Sequence, residues 1–374
     1  MPVAIAVPAF ILGTVVSLAT SWVLVTRLER IGARVGLSEA LLGVVAALAA
    51  DAPEITSAVT AIAGGQQRLG AGVVIGSNVF NLAALLGLGA AVASVIRLHR
   101  KVVLLGGAVA VSVGVVTLAA VVRAIPELAG CAIAVAILVG YGFLIGAGPR
   151  ALGRLPVPVA WLDWLELAVA EEEVELEESI HPSRGGRRDV LIGALALVIV
   201  VLASVTMERS ASALGTRFAV PEIVVGGLVL AAVTSLPNAV AAVYLARRGR
   251  GAATLSTALN SNTLNAAIGL LVPAAIVGLG PPTAEATLVT AWYVGLTVVA
   301  LAFAYRDRGV TRRVGVLIIG AYAIFAASVI VPPSRLGIQI GLAVATAAGF
   351  AVIGLAGASV TRLRAARAAA RRPG

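Results

Sequence analysis

The sequence is poor in charged residues, aromatic side chains and cysteine. Asp, Glu, Lys and Arg make up 12% of its 374 residues, and Phe, Trp and Tyr make up 4%. Because soluble domains carry charge on about a quarter of their residues, this composition excludes an ordinary water-soluble protein. The single cysteine, Cys131, lies in an apolar run, so it forms no internal disulfide and provides no metal cluster.

Apolar residues, by contrast, are abundant and occur in long runs. They make up 60% of the chain, and the mean hydropathy is +1.03. A helix needs about 20 apolar residues to cross a bilayer, so the sequence predicts an all-α polytopic membrane protein with eleven helices. These helices are expected near residues 3–26, 38–63, 69–96, 102–122, 126–147, 189–206, 221–245, 253–279, 286–305, 314–331 and 338–360.

The net charge of +10 comes from basic residues in the links between apolar runs. There they orient the protein in the lipid bilayer, because Lys and Arg near helix ends stay in the cytoplasm; nucleic acid is not expected as a partner. An outside N-terminus puts 23 of the 28 basic residues on the cytoplasmic side. We therefore expect an integral protein of the plasma (inner) membrane with a cytoplasmic C-terminus. The first run lacks the features of a cleaved signal peptide and is expected to be retained.

One long polar segment divides the apolar chain. Its acidic part, residues 163–178, lacks the alternating Asp/Asn ligands and turn glycine of a calcium-binding loop, so we interpret it as a solvated amphipathic helix. Four parts are therefore predicted. They are a first five-helix half (1–148), an acidic cytoplasmic linker (149–188), a second five-helix half (189–332), and an extra helix with a basic cytoplasmic tail (333–374).

The two halves contain an internal repeat. Pro53 recurs as Pro237, and the Ser-Asn-x-x-Asn pattern of residues 77–81 recurs at 261–265, both at an offset of 184 residues. The prolines lie in the second and seventh predicted helices, and the five crossings between those helices make their directions opposite. The sequence therefore predicts an inverted repeat, in which interrupted helices face each other near the middle of the membrane at a site for small ions or solutes.

Two carboxylates lie in the first interrupted helix. Of the 18 acidic residues, only Asp51 and Glu54 are predicted to fall well inside an apolar helix, where a charge is expensive and indicates function. Their i, i+3 spacing puts both on one face, beside carbonyls that Pro53 is expected to free. This oxygen-rich set fits a hard cation. The alternative is a protonated, hydrogen-bonded pair at a helix kink.

Hydroxyl and amide side chains complete the candidate site. The asparagine pairs are i, i+3 neighbours at matching distances from the two prolines, which favours lining of the site over simple helix-to-helix hydrogen bonding. Ser77 and Ser261 fit a role as ligands or as ordinary interhelical hydroxyls, while Gly76 allows close helix approach. The other expected ligands are Asn78, Asn81, Thr234, Ser235, Asn238, Asn262 and Asn265.

These residues carry a family resemblance. Residues 233–238, Val-Thr-Ser-Leu-Pro-Asn, resemble the Gly-Thr-Ser-Leu-Pro-Glu signature of the cation/calcium antiporters of the sodium/calcium exchanger superfamily. Residues 76–81, Gly-Ser-Asn-Val-Phe-Asn, are similar to that family's Gly-Ser-Asn-x-x-Asn/Asp element. The resemblance implies the exchanger-like inverted repeat of two five-helix halves, with helix 338–360 as an addition. It also implies a transporter rather than an enzyme, with no resident cofactor.

The resemblance further implies roles for individual residues. A site between the repeats would open to each side in turn and exchange Na⁺ or H⁺ for Ca²⁺. Glu54 would be the calcium-binding acid, and Asn81 would be a sodium-site amide. Ser77 and Ser261 would supply sodium-site hydroxyls, and Thr234 would supply its carbonyl or hydroxyl.

Several positions depart from the family pattern. Asn238 stands where the family has a second glutamate, Asn265 stands where an acid is frequent, and Ala50 and Asp51 replace a Thr and a Ser. We hypothesise that Asp51 supplies the missing charge from the opposite half. Without it, one carboxylate would better suit a monovalent cation or a proton. A scaffold or sensor that has lost transport is a further alternative.

Overall fold

The computed structural model describes residues 1–37, 39–146, 161, 163–168, 185–249 and 251–370. Most of the predicted acidic helix, residues 169–178, lies outside the described residues, and residues 163–168 are helical. The main helices are α1 (Val3–Val35), α2 (Glu39–Ala50), α3 (Ala52–Ala63), α4 (Gln67–Ala93), α5 (Arg100–Val121), α6 (Glu127–Gly146), α7 (Arg187–Arg217), α8 (Glu222–Thr234), α9 (Leu236–Arg247), α10 (Ala253–Val277), α11 (Ala284–Asp307), α12 (Arg312–Ile330) and α13 (Leu336–Ala370).

The number of membrane spans agrees with the sequence prediction. In the described part of the chain, nine helices are long and apolar enough to cross a bilayer, and two bent pairs bring the total to eleven. Three helices run past their predicted ends: α1 continues to Val35 rather than 26, α7 to Arg217 rather than 206, and α13 to Ala370 rather than 360. Hydropathy marks only the apolar part of a helix, so it does not detect these polar extensions.

The second and seventh spans are each broken just before a proline. The first bends by 55° between α2 and α3, and the second bends by 46° between α8 and α9. Pro53 has no N–H for the carbonyl of Ala49 four residues earlier, which interrupts the helix. The sequence analysis expected this carbonyl to be free. It is instead bonded, because Ser21 Oγ of α1 donates to it at 3.0 Å.

Wide π-helical turns follow the repeated asparagines in both halves. They span Leu82–Leu88 within α4 and Asn265–Leu271 within α10, and a third spans Val225–Leu230 within α8. Apolar periodicity does not predict them. Such turns are frequent at functional sites because they redirect side chains out of the regular helical register.

The helices α4 and α8 pack backbone against backbone. A methyl group built on Gly76 would lie 2.2 Å from the carbonyl oxygen of Gly227, and one built on Gly226 would lie 2.2 Å from that of Leu69. These contacts confirm the close approach expected at Gly76. They hold the third span of one repeat against the seventh span of the other, which positions the polar residues that follow on α4.

Replacing Gly76 by alanine should therefore destabilise the protein. Because the neighbouring backbone cannot move aside locally, we expect a cost of about 1–3 kcal/mol, as for other overpacked cores. Thermal unfolding of the purified variant in detergent measures the loss. Gly295→Ala in α11 is the matched control, since nothing lies within 4 Å of its added methyl group. Equal melting temperatures for the two variants would contradict the packing described.

A short two-stranded ribbon links the halves at one membrane face. Strand β1 (Val95–Arg97) pairs antiparallel with β2 (Gly309–Thr311), and Ile96 lies opposite Val310. Both of these apolar residues are buried. The ribbon was not predicted, because three-residue strands leave too little alternation to detect in sequence.

The two long helices α1 and α7 form a pair. Ser17 Oγ and Ser204 Oγ lie 2.8 Å apart in their buried contact. Near the predicted cytoplasmic end, Arg27 Nη1 of α1 lies 2.8 Å from Asp189 Oδ1 of α7. The contacts at both levels join α1 and α7 into one unit.

Candidate ion-binding site

The candidate site lies where the two broken helices meet α4 and α10. All eleven predicted side chains are buried, and none is more than 2% exposed. Hydrogen bonds connect most of them across the repeat interface. Thr234 does not join this network, because its hydroxyl donates to the carbonyl of Leu230 in its own helix at 2.9 Å. The Ser77 hydroxyl lies beside the Glu54 carboxylate.

Two donors from the second repeat hold Glu54. Its Oε1 accepts a hydrogen bond from Ser235 Oγ, and its Oε2 accepts one from Asn265 Nδ2. Glu54 lies in the first turn of α3, directly after the proline break. The break therefore directs this carboxylate across the interface, where both of its oxygens meet neutral polar groups.

Asp51 also reaches across the interface. It lies at the break itself, between α2 and α3, and its Oδ1 accepts hydrogen bonds of 2.8 Å from Asn238 Nδ2 and from Ser261 Oγ. Its Oδ2 has no hydrogen-bond partner among the described residues. The acid of the first repeat thus contacts the asparagine that stands in the position of the family's second glutamate.

Ser261 and Asn81 extend the network around Asp51. Asn81 Nδ2 donates to Ser261 Oγ at 3.0 Å and to Asn262 Oδ1 at 3.1 Å. Asn238 Nδ2 lies 3.2 Å from the same Ser261 hydroxyl. Ser261 is therefore shared by helices from both repeats, and a change at this residue affects several neighbours together.

The repeated asparagines mark the symmetry axis of the fold. Asn78 Nδ2 donates to the carbonyl of Asn262, and Asn262 Nδ2 donates to the carbonyl of Asn78, each at 3.0 Å. This reciprocal pair is what an inverted repeat produces when equivalent residues meet. The amide nitrogens of Asn78 and Asn262 thus join α4 to α10.

Several side-chain oxygen atoms of the site, one of them a carboxylate oxygen, have no hydrogen-bond partner among the described residues. Leaving a buried polar atom unpaired costs about 1–3 kcal/mol, so a cluster of such atoms needs an explanation. Side-chain oxygens of this kind are the ligands that hard cations such as Ca²⁺ and Na⁺ prefer. The atoms are Asp51 Oδ2, Asn81 Oδ1 and Asn265 Oδ1.

Among the described residues, two carboxylates give the site its charge. The hydrogen-bond donors to Asp51 and Glu54 are all neutral hydroxyls and amides. Within the described ranges, no group of three or more His, Cys, Asp or Glu side chains lies close enough to hold a metal ion. A buried pair of this kind needs protons or cations to balance it.

One functional candidate was missed by the sequence analysis. Glu208 is 3% exposed within α7, so Asp51 and Glu54 are not the only carboxylates buried inside a membrane-spanning helix. The prediction of only two buried carboxylates was wrong because the predicted helix ended at residue 206, two positions before Glu208. Only the observed continuation of α7 to Arg217 reveals that Glu208 is enclosed.

Two relatives share sequence with this chain. CaxA of Alkalimonas amylolytica is 36% identical over 84 residues, which is 22% of this chain and 26% of CaxA. "Inner membrane protein YrbG" of Escherichia coli K12 is 24% identical over 307 residues, covering 78% of this chain and 86% of that protein. The second match therefore extends over most of both proteins.

Two solved exchangers share the fold. The H⁺/Ca²⁺ exchanger CAX superposes with a TM-score of 0.65 at 15% identity, covering 96% of this chain and 92% of that one. The sodium-calcium exchanger NCX_Mj superposes with a TM-score of 0.56 at 20% identity, covering 87% of this chain and 99% of that one. At these identities the likeness concerns the fold, and it confirms the exchanger-like inverted repeat.

A match over most of the chain gives the family itself. The sequence model described as "Sodium/calcium exchanger protein" matches residues 5–147 and residues 189–331, which together contain both broken helices and both Ser-Asn-x-x-Asn segments. The resemblance drawn from the two motifs is thereby confirmed. The many apolar helices and this match make the chain an integral membrane transporter, and it belongs to the sodium/calcium exchanger protein family.

Proposed function

We propose that this protein is a secondary-active antiporter that exchanges Na⁺ or H⁺ for Ca²⁺ at the site between its repeats. One observation carries the proposal: both buried acids of the first repeat, Asp51 and Glu54, bind polar groups of the second repeat. An ion bound there would contact both halves. Its binding and release would therefore respond to any movement of one half against the other.

Asp51 supplies the second charge in this proposal. A divalent cation is balanced by two carboxylates, and the family pattern places the second one at the position of Asn238. The 2.8 Å contact between Asn238 Nδ2 and Asp51 Oδ1 supports the substitution of one acid for the other, because it brings the Asp51 carboxylate to that position. The site would then carry a charge of −2 with both acids ionised.

Competition for Glu54 would couple the two ions. When Ca²⁺ leaves, Na⁺ or protons would take its place on the same carboxylate, because an uncompensated charge is costly inside the membrane. Movement between the two open states would be unfavourable while the two carboxylates are charged and bind neither a cation nor a proton. Transport of one ion would then require transport of the other in the opposite direction.

We further propose that the α1–α7 pair rocks against a core of the other eight helices of the two repeats, without α13, to open each side in turn. The hydrogen bond from Ser21 joins α1 to the first broken helix. On that helix, Ala52 and Thr56 are half-buried. Their repeat equivalents on α9, Leu236 and Val240, are 46% and 64% exposed. Inverted symmetry would give a second state in which the pair covers α9 instead.

The orientation remains the one predicted from charge. The excess of basic residues on one side supports an outside N-terminus, a cytoplasmic C-terminus and a place in the plasma (inner) membrane. The name of the Escherichia coli relative, an inner membrane protein, supports the same membrane. A reporter domain fused after the tail would test the orientation, since it should stay accessible only from the cytoplasm.

A second candidate function is exchange of a monovalent cation for protons. It is favoured by Asn238 and Asn265, which donate hydrogen bonds to Asp51 and Glu54 where the family has acids. If Asp51 stays protonated, the site keeps a single charge. Such a site would bind Na⁺ or K⁺ better than Ca²⁺.

Ion-dependent thermal stability distinguishes these candidates. An ion that binds only the folded protein raises its melting temperature. At an ion concentration of 100 times the dissociation constant, the free energy of unfolding increases by about 2.7 kcal/mol. We expect Ca²⁺ to stabilise the purified protein, Na⁺ or low pH to compete with it, and Glu54→Gln to lose the effect. Stabilisation by Na⁺ or K⁺ without any by Ca²⁺ would contradict calcium exchange and support the second candidate.

A further inference from the structure

A third buried carboxylate lies outside the central site. Glu208 is 3% exposed on α7, and the positive charge of Arg209, the next residue, acts on its carboxylate. Its neighbour in sequence, Arg209, is exposed to the surroundings. A buried carboxylate whose charge is balanced only by an exposed side chain still favours taking up a proton or a cation.

Glu208 borders a polar cavity of about 300 Å³. Gln66 and Ser212 shape one wall, because Gln66 Nε2 donates to Ser212 Oγ at 2.8 Å and that hydroxyl lies 2.9 Å from Gln66 Oε1. Hydroxyl, amide and carboxylate oxygens therefore border one space, whose lining also includes the exposed Arg209. This is the ligand class of the central site, and it fits Ca²⁺ or Na⁺ rather than an organic solute. The cavity is lined by Thr60, Ala61, Gly64, Gln66, Glu208, Arg209, Ser212 and Ala213.

One face of α3 connects this cavity to the central site. Glu54, Ser57 and Ala61 are spaced i, i+3 and i+7, so they lie along the same side of the helix. Ala61 lines the cavity, and the helix rises about 1.5 Å per residue, so Glu54 is about 10 Å away along the axis. Between them, Ser57 is fully buried and its hydroxyl has no hydrogen-bond partner among the described residues.

We infer that Glu208 and this cavity form a second cation-binding site, the α7 site, from which cations pass along α3 to Glu54 by way of Ser57. The α7 site binds more weakly than the central one, since it offers one carboxylate rather than two. The inference rests on the proposed function for the identity of the cation. In the predicted orientation the cavity belongs to the outer half of the membrane, so the site serves exchange at that side.

Equilibrium binding of ⁴⁵Ca²⁺ and ²²Na⁺ to the purified full-length protein tests the α7 site. We expect two classes of binding in the wild type for the transported ion. Glu208→Gln should weaken the low-affinity class by about tenfold or more and leave the high-affinity class within about twofold. The double variant Asp51→Asn/Glu54→Gln should do the reverse. Glu222→Gln, a change at an exposed acid near the same end of α7, should alter neither class.

The outcomes separate this inference from the proposed function. A single class of binding that Glu208→Gln leaves unchanged would overturn the α7 site and leave the central site intact. Binding that depends on Glu208 and persists unchanged in the Asp51→Asn/Glu54→Gln variant, with no second class, would support the α7 site and overturn the proposed function. Glu208→Asp keeps the charge and should retain the weak class, which guards against a mere folding defect in the glutamine variant.

Discussion

Glu54→Gln is expected to abolish cation exchange while leaving the fold intact. Glutamine keeps the size of the side chain, and its carbonyl oxygen still accepts from one of the two donors that now hold Glu54. The charge, however, is lost. One charge pair at 4 Å is worth about 4 kcal/mol at an effective dielectric of 20, so we expect a loss of at least about 100-fold in transport rate at low ion concentration.

The initial rate of ⁴⁵Ca²⁺ uptake by proteoliposomes measures this effect. Glu127→Gln serves as the control, because Glu127 lies at the start of α6 and pairs only distantly with Arg123, at 4.0 Å. It should transport at the wild-type rate. A Glu54→Gln variant with more than about a tenth of wild-type uptake would contradict the central role of this carboxylate.

Moving the second charge across the repeat interface is expected to preserve calcium exchange. Asp51→Asn alone should reduce ⁴⁵Ca²⁺ uptake by at least about tenfold, since it removes one of two charges facing a divalent ion. Adding Asn238→Asp should restore much of the rate. Asn238 Nδ2 and Asp51 Oδ1 are 2.8 Å apart, so the double variant exchanges donor and acceptor within one hydrogen bond and keeps the total charge.

A charge placed on another buried asparagine, this one in α10, should not rescue. Asn260 is bonded to Ser256 rather than to Asp51, so Asp51→Asn/Asn260→Asp is the matched control. Calcium transport at the wild-type rate in Asp51→Asn would show that Asp51 does not replace the charge missing at Asn238. The site would then function with Glu54 as its only carboxylate, and exchange of monovalent cations would be the better reading.

The sequence alone indicates much of this fold because the membrane constrains the chain so strongly. Long apolar runs identify the spans, and the repeated prolines identify the two breaks. The odd number of crossings between Pro53 and Pro237 makes the repeat inverted. Asp51 and Glu54 stand out for the same physical reason, since a carboxylate inside an apolar helix needs compensation.

Other features depend on contacts that no local pattern records. The pairing of Asp51 with Asn238 and Ser261 joins residues far apart in sequence, so only the assembled repeats show it. The reciprocal bonds between Asn78 and Asn262 give these residues an interhelical role, where the sequence favoured lining of the site. Glu208 was missed because its burial depends on how far α7 continues and on what covers it.

The central claim is that cations exchange at one site between the repeats, and coupled flux tests it most directly. Proteoliposomes loaded with Na⁺ or held at an acidic internal pH are placed in ⁴⁵Ca²⁺, and release of the internal ion is followed in the same vesicles. We predict calcium uptake that requires one of these outward gradients, releases the coupled ion, and disappears in Glu54→Gln. Calcium uptake that ignores both gradients, or no calcium uptake under either, would contradict the account.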